Sequence, residues 1–190
     1  GGFNEFLGTA VTTGDFNGDS IDDLIVSSSS SRKIYITYGK SAGWFGSGQI
    51  TIHSGCNFID TSAALGFENT LASGDINGDG YDDVIAGGAL ASYGSSSSGS
   101  AYVLFGGSSQ CQFTSYTIPT NSLNGTTGFR LDGSTANDRA GNRIASGDLT
   151  GDGKHEILVS AIYADYSYTD AGSVYGVYGK SGTWSATYDL

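Results

Sequence analysis

Short apolar runs alternate with polar, glycine-rich loops along the chain, and the runs fall into a repeating order. Phe6-Leu7-Gly8-Thr9-Ala10-Val11 leads toward a loop at Gly14-Asp15. Leu24-Ile25-Val26 then follows as a continuous apolar stretch, the pattern of a strand buried on both faces. Ile34-Tyr35-Ile36-Thr37-Tyr38-Gly39 predicts a second strand, β-branched and aromatic and closed by glycine. Ile50-Thr51-Ile52 predicts a third, after a turn around Trp44. The order recurs with Leu65-Gly66-Phe67, Leu71-Ala72-Ser73-Gly74, Val84-Ile85-Ala86 and Ala101-Tyr102-Val103-Leu104-Phe105-Gly106. It recurs again with Arg143-Ile144-Ala145-Ser146-Gly147, Ile157-Leu158-Val159 and Val174-Tyr175-Gly176-Val177-Tyr178-Gly179. Ser27 to Ser31 reads as a polar connection and Ser95 to Gly99 as a flexible tip. Each unit offers about four short strands, and no convincing amphipathic helix interrupts them.

The same nine-residue loop sits between the first two strands of every unit. Its clearest copy is Asp75-Ile76-Asn77-Gly78-Asp79-Gly80-Tyr81-Asp82-Asp83, with oxygen-bearing side chains at positions one, three, five and nine. The others are Asp15-Phe16-Asn17-Gly18-Asp19-Ser20-Ile21-Asp22-Asp23 and Asp148-Leu149-Thr150-Gly151-Asp152-Gly153-Lys154-His155-Glu156, so the starts lie 60 and 73 residues apart. Alternating hard oxygen donors on a tight loop match what Ca²⁺ requires, with the position-seven carbonyl as an additional ligand. Carboxylates crowded in this way repel one another without a cation. Ordinary Asp/Asn/Gly turns are the competing reading, but threefold recurrence at fixed spacing favours three Ca²⁺ sites. An EF-hand is excluded. Its position twelve needs Glu, whereas Val26, Ala86 and Val159 stand there, and β-branched rather than helical sequence follows. A repeating set of short strands joined by loops predicts an all-β chain of β-propeller-type blades, divided as 1–54, 55–127 and 128–190.

Charge supports this picture. The formal charge is −11, and eleven of the 19 acidic residues lie inside the three loops, nine of them at ligand positions. Three Ca²⁺ ions would bring the charge to −5, so the acidity is site-like, and no basic stripe favours nucleic acid. The 190 residues contain no Met and no apolar run long enough to span a membrane, as expected of a mature product or excised segment. Two cysteines, Cys56 and Cys111, suit one disulfide in an oxidising compartment; two unrelated buried thiols are the alternative. His53 and His155 are too few and too separate for a zinc site, and His155 reads as a solvated loop residue. No Gly-x-Ser-x-Gly elbow in a catalytic context appears, so no enzymatic activity is expected. Asn124-Gly125-Thr126 is a single N-glycosylation sequon, and the two serine runs are candidate O-glycan carriers or linkers.

The pattern Gly-Asp-x-Asn-Gly-Asp-Gly-x-Asp-Asp-[Leu/Val]-Ile, followed by Gly87-Gly88-Ala89 and later by Tyr102-Val103-Leu104-Phe105-Gly106, resembles the FG-GAP repeat of integrin α-subunit propellers and of bacterial and algal surface proteins. The likeness extends to Gly128-Phe129-Arg130-Leu131-Asp132-Gly133. It implies a cation in each hairpin loop, on one face of the propeller. The implied ligands are Asp15, Asn17, Asp19, Ile21 (carbonyl) and Asp23; Asp75, Asn77, Asp79, Tyr81 (carbonyl) and Asp83; and Asp148, Thr150, Asp152, Lys154 (carbonyl) and Glu156. Departures are visible. Thr150 is a weaker donor than Asn, Glu156 is longer than Asp, and Ser20 replaces the position-six glycine, so weaker binding at site three and backbone strain at Ser20 are expected. Leu7-Gly8, Phe67-Glu68 and Ala140-Gly141 stand where Phe-Gly belongs, and Trp184 to Leu190 resembles the opening of a further repeat.

The resemblance implies a calcium-stabilised, extracellular or cell-surface module for adhesion, recognition or scaffolding, with a protein or glycan partner. The first alternative is a structural subunit of an extracellular filament, whose open blades are covered by copies of itself. The second is a non-catalytic accessory propeller of a larger secreted enzyme.

Overall fold

The computed structural model describes residues 6–30, 32–41, 57–60, 70–108, 117–118 and 123–190, with backbone alone at 57–60 and 117–118. Cys56, Cys111, His53, Trp44 and the expected strands at Ile50-Thr51-Ile52 and Leu65-Gly66-Phe67 lie outside the described residues. In chain order the strands are β1 (Leu7–Gly14), β2 (Asp23–Ser28), β3 (Lys33–Thr37), β4 (Asn57–Asp60), β5 (Leu71–Gly74), β6 (Asp83–Gly88), β7 (Ser100–Leu104), β8 (Thr117–Ile118), β9 (Gly128–Asp132), β10 (Ala140–Gly147), β11 (Glu156–Ala161), β12 (Ser173–Val177) and β13 (Thr187–Asp189). The described residues contain no helix, and the fold is all-β and propeller-type.

Among the described residues three sheets form: β1-β2-β3-β4-β8, β5-β6-β7-β9-β13 and β10-β11-β12. Within each, neighbouring strands run antiparallel except the outermost, where β8 lies parallel to β4 and β13 parallel to β9. The sequence repeat and the sheet are therefore offset by a strand. β4 and β9 open the second and third sequence units, yet they pair with β3 and β7 of the preceding sheet.

The alternation of side chains along the central strands builds two cores. Val84, Ala86, Tyr102 and Leu104 of the second sheet pack with Phe16, Ile25, Ile34 and Ile36 of the first. On its other face, Ile76, Ile85, Ala101 and Val103 pack with Ile157, Val159 and Ala161 of the third. The continuous apolar run of β6 is thus explained by burial on both faces, and each fully buried Val or Ile there contributes about 1.5–3 kcal/mol. Phe129 stacks on Trp184 with ring centroids 4.2 Å apart, which fixes the C-terminal stretch against the second sheet.

Two serine expectations are corrected. Ser27 and Ser28 are buried strand residues, because Ser27 Oγ pairs with Thr9 Oγ1 at 2.9 Å and accepts the Ala10 N–H at 2.9 Å. Ser95 to Gly99 is a pinned turn. Ser98 is fully buried, its Oγ accepts the Ser95 N–H at 3.2 Å, and its carbonyl accepts the Ala140 N–H at 2.9 Å.

Candidate metal centres

The register of the first hairpin in every sheet sets the loop geometry. Gly14 faces Asp23, Gly74 faces Asp83 and Gly147 faces Glu156, so each position-nine carboxylate sits opposite the glycine that precedes position one. Eight residues bridge that pair, and they turn through two left-handed positions. Position four is Gly18 (φ 75°), Gly78 (φ 72°) and Gly151 (φ 75°); position six is Ser20 (φ 66°), Gly80 (φ 88°) and Gly153 (φ 83°). The strain expected at Ser20 is present, and a left-handed non-glycine costs about 1–2 kcal/mol.

Hydrogen bonds then fold the side chains inward by one scheme. Asp15 Oδ1 accepts the N–H groups of Gly18 (2.7 Å) and Asp19 (3.0 Å), and its Oδ2 that of Ser20 (2.7 Å). Asp75 accepts from Gly78, Asp79 and Gly80 in the same way, and Asp148 from Gly151, Asp152 and Gly153. Position five accepts the position-seven N–H: Asp19 from Ile21, Asp79 from Tyr81, Asp152 from Lys154. Asn17 and Asn77 each accept the position-five N–H at 2.9 Å. Position nine reaches across: Asp23 accepts from Phe16 and Gly39, and Asp83 from Ile76 and Gly106. Each carboxylate has about four acceptor positions, so these donors leave oxygen capacity in every loop. Among the described residues, no three carboxylate, imidazole or thiol groups already stand close enough to form a metal cage.

Burial and crowding of like charges perturb the position-nine acids of loops one and two. Asp23 and Asp83 are fully buried. Burial pushes the Asp23 carboxyl up to about 6; hydrogen bonds from Gly39 and Phe16 oppose the rise, and the charges of Asp19 and Asp15 add to it. Burial likewise raises the Asp83 carboxyl well above its ordinary value; hydrogen bonds from Gly106 and Ile76 oppose the rise, and the charges of Asp79 and Asp75 add to it.

Loop three differs in two ways. The longer Glu156 accepts both Leu149 N–H (2.8 Å) and Thr150 N–H (3.2 Å) on Oε2, which leaves Oε1 buried without a partner. Lys154 Nζ lies 3.0 Å from Asp152 Oδ2, a tethered cation on a predicted metal ligand. Asp148 and Thr150 are also exposed, whereas Asp15 and Asp75 are half-buried and Asn17 is buried.

Position eight carries a role the spacing did not reveal. Asp82 N–H donates to the Asp15 carbonyl at 2.9 Å, and Asp15 N–H donates back to Asp82 Oδ2 at 2.9 Å. His155 N–H donates to the Asp75 carbonyl at 2.9 Å, and the imidazole packs over Gly74 with Nδ1 buried and unpartnered. His155 is therefore an inter-sheet contact rather than the solvated residue expected, because the stacking of sheets two and three closes over it.

Family models match the stretches of chain that carry the loops. An FG-GAP-like repeat model matches residues 15–86, and an FG-GAP repeat model matches 69–104 and 140–177. The chain belongs to the FG-GAP repeat family. Gly8 and Gly141 hold the family's second motif position, with φ 93° and 81° at the irregular registers that open β1 and β10. A curated relative is the bovine (Bos taurus) phosphatidylinositol-glycan-specific phospholipase D, 36% identical over 108 residues. That alignment covers 54% of this chain and 13% of the relative.

Proposed function

We propose that this FG-GAP chain is a non-catalytic, calcium-stabilised module for recognition, adhesion or scaffolding at an extracellular or cell-surface site. The observation that carries the reading is the recurring hydrogen-bond scheme, which folds the oxygen side chains of positions one and five inward in all three loops and that of position three in loops one and two, beside buried position-nine acids that have like-charged neighbours in loops one and two. The donor set fits Ca²⁺: all are hard oxygens, and Glu156 Oε1 is a buried acceptor with nothing to accept. Asp15, Asn17, Asp19, the Ile21 carbonyl and Asp23 would hold the first ion, with their counterparts in loops two and three. A bound ion neutralises the acids and ties the two strands of each hairpin together. No helix among the described residues is long and apolar enough to cross a membrane. Asn124 stands in an exposed turn, its Oδ1 accepting the N–H groups of Thr126 and Thr127, a placement that suits a surface N-glycan. The enzymatic name of the bovine relative is assigned to a protein of which this match spans 13%, which suits the accessory-propeller alternative equally.

Asp79→Ala tests the reading. It should weaken Ca²⁺ binding and lower the melting temperature in millimolar Ca²⁺; affinity and melting temperature equal to wild type would refute it. Loop three should bind most weakly, and Lys154→Met should strengthen it, by roughly 3–10-fold, by removing the competing ammonium. Titration calorimetry of the two proteins checks this.

Acid should weaken loop one. Because Asp23 holds its proton up to about 6, proton and cation compete below that value, and Ca²⁺ affinity falls as pH drops through it. Without Ca²⁺ the sign reverses. The folded chain then holds this proton more tightly than the unfolded chain, so the contribution of Asp23 to stability is fully present below its ordinary 3.8 and is lost as pH rises through about 6. Melting curves with Ca²⁺ and with chelator, at about pH 7.5 and about pH 5.5, separate the two.

Self-assembly is a second reading, favoured by the outer face of the third sheet. Leu149 is 66% exposed, whereas its counterparts Phe16 and Ile76 are 1% and 0% exposed. Tyr178 is 72% exposed against 7% for Phe105. Light scattering in Ca²⁺ distinguishes an assembly from a 19.5 kDa monomer.

A further inference from the structure

We propose that position eight couples neighbouring cation sites, with Asp82 making the state of loop two felt at loop one. The inference rests on the calcium reading above. Asp15 supplies the first ligand of loop one, and both of its backbone groups are held by Asp82, through Asp82 N–H and Asp82 Oδ2, each at 2.9 Å. Asp82 is in turn the residue before Asp83, whose two carboxylate oxygens close loop two onto Ile76 N–H and Gly106 N–H.

The seam is broader than this pair. Gly107 N–H donates to the Phe16 carbonyl at 3.1 Å, and a side chain on Gly18 would collide with the Tyr81 ring. A Cβ on Gly14 would lie 2.6 Å from Asp82 Oδ2. The closing half of loop two, from Tyr81 to Asp83, therefore forms the wall against which the opening half of loop one is folded. A cation held by the Tyr81 carbonyl and the Asp83 carboxylate would fix that wall, and with it the backbone of Asp15.

The same seam joins loops three and two, with one bond fewer. His155 N–H reaches the Asp75 carbonyl, and Lys180 N–H reaches the Ile76 carbonyl at 3.0 Å, but the imidazole Nδ1 takes no hydrogen bond where Asp82 takes one. Gly147 and Gly151 have nothing within 4 Å of a Cβ, so no wall stands against loop three. Coupling is thus strongest from loop two to loop one and weaker from loop three to loop two. Energetic coupling between two sites is reciprocal, and its typical size is 5–150-fold in affinity.

The test is a double-mutant cycle on the full chain, with loop-one occupancy read from the amide resonances of Gly18 and Ser20 during a Ca²⁺ titration. Disabling loop two by Asp79→Ala should lower loop-one affinity about tenfold. In an Asp82→Ala background the same change should leave loop one unaffected, while Asp82→Asn, which keeps an acceptor for Asp15 N–H, should preserve the dependence. Gly14→Ala displaces the Asp82 side chain from the other side and should also uncouple the sites, which covers the case of Asp82→Ala failing to fold. Ca²⁺ binding at loop one that ignores Asp79→Ala would overturn the coupling and leave the calcium reading standing. A dependence that survives in both Asp82→Ala and Gly14→Ala would overturn the assignment to Asp82. Loop-one amides that never shift with Ca²⁺ would overturn the calcium reading itself and the coupling with it.

Discussion

Gly141→Val is expected to destabilise the fold by about 2–5 kcal/mol, the sum of about 1–2 kcal/mol for a left-handed non-glycine and about 1–3 kcal/mol for overpacking. Gly141 has φ 81°, and a Cβ there would strike the backbone carbonyl of Ser100, with Gly88 N only 3.2 Å away. The obstacle is rigid. Ser100 opens β7, which is paired with β6 on one side and β9 on the other, so the carbonyl has no room to retreat. Gly8 provides the control. It occupies the same motif position with φ 93°, but nothing lies within 4 Å of its Cβ, so Gly8→Val should show the conformational part alone. Urea unfolding of the two variants in saturating Ca²⁺ measures the difference. Equal losses would mean that the packing of sheet three on sheet two is not what demands glycine at 141.

Asp83→Ala is the second large effect, and it separates a structural role from metal binding. The carboxylate is fully buried and holds Ile76 N–H and Gly106 N–H at 2.9 Å each. Its removal strands two buried donors, at about 1–3 kcal/mol apiece. Relief of the buried, crowded charge offsets part of that, which leaves a loss on the order of 2–3 kcal/mol even in chelator. Asp79 is exposed, so Asp79→Ala in chelator should stay within about 1 kcal/mol of wild type. In Ca²⁺ both variants should lose the stabilisation that loop two draws from its ion. If Asp83→Ala matched wild type in chelator, the hairpin-closing role of position nine would be wrong.

The sequence announced the strands and loops because both are local. A loop that gathers oxygens must place them at fixed offsets, and a strand buried on two faces must be continuously apolar, as β6 is. Asp15, Asp75 and Asp148 accordingly take up one hydrogen-bond scheme. What escaped notice was contact between units. Asp82 looks like a spare acid within its own loop, since its partner Asp15 is 67 residues away. His155 and the position-seven side chains of Tyr81 and Lys154 are explained only by Gly74, Gly18 and Gly78 of the preceding loop. The assignment of β4 and β9 to the preceding sheets is equally non-local. Ser27, Ser28 and Ser98 misled for another reason: serine is polar by composition but packs well in a strand once its hydroxyl has a partner, as Ser27 has in Thr9.

The central claim is that three loops of one design each hold a Ca²⁺ ion that staples its hairpin. Calcium titration calorimetry on the decalcified chain, paired with melting curves in millimolar Ca²⁺ and in chelator, tests it most directly. Up to three ions should bind per chain, the weakest at the Lys154-bearing loop, and the melting temperature should rise on binding. No binding heat and superimposable melting curves would contradict it.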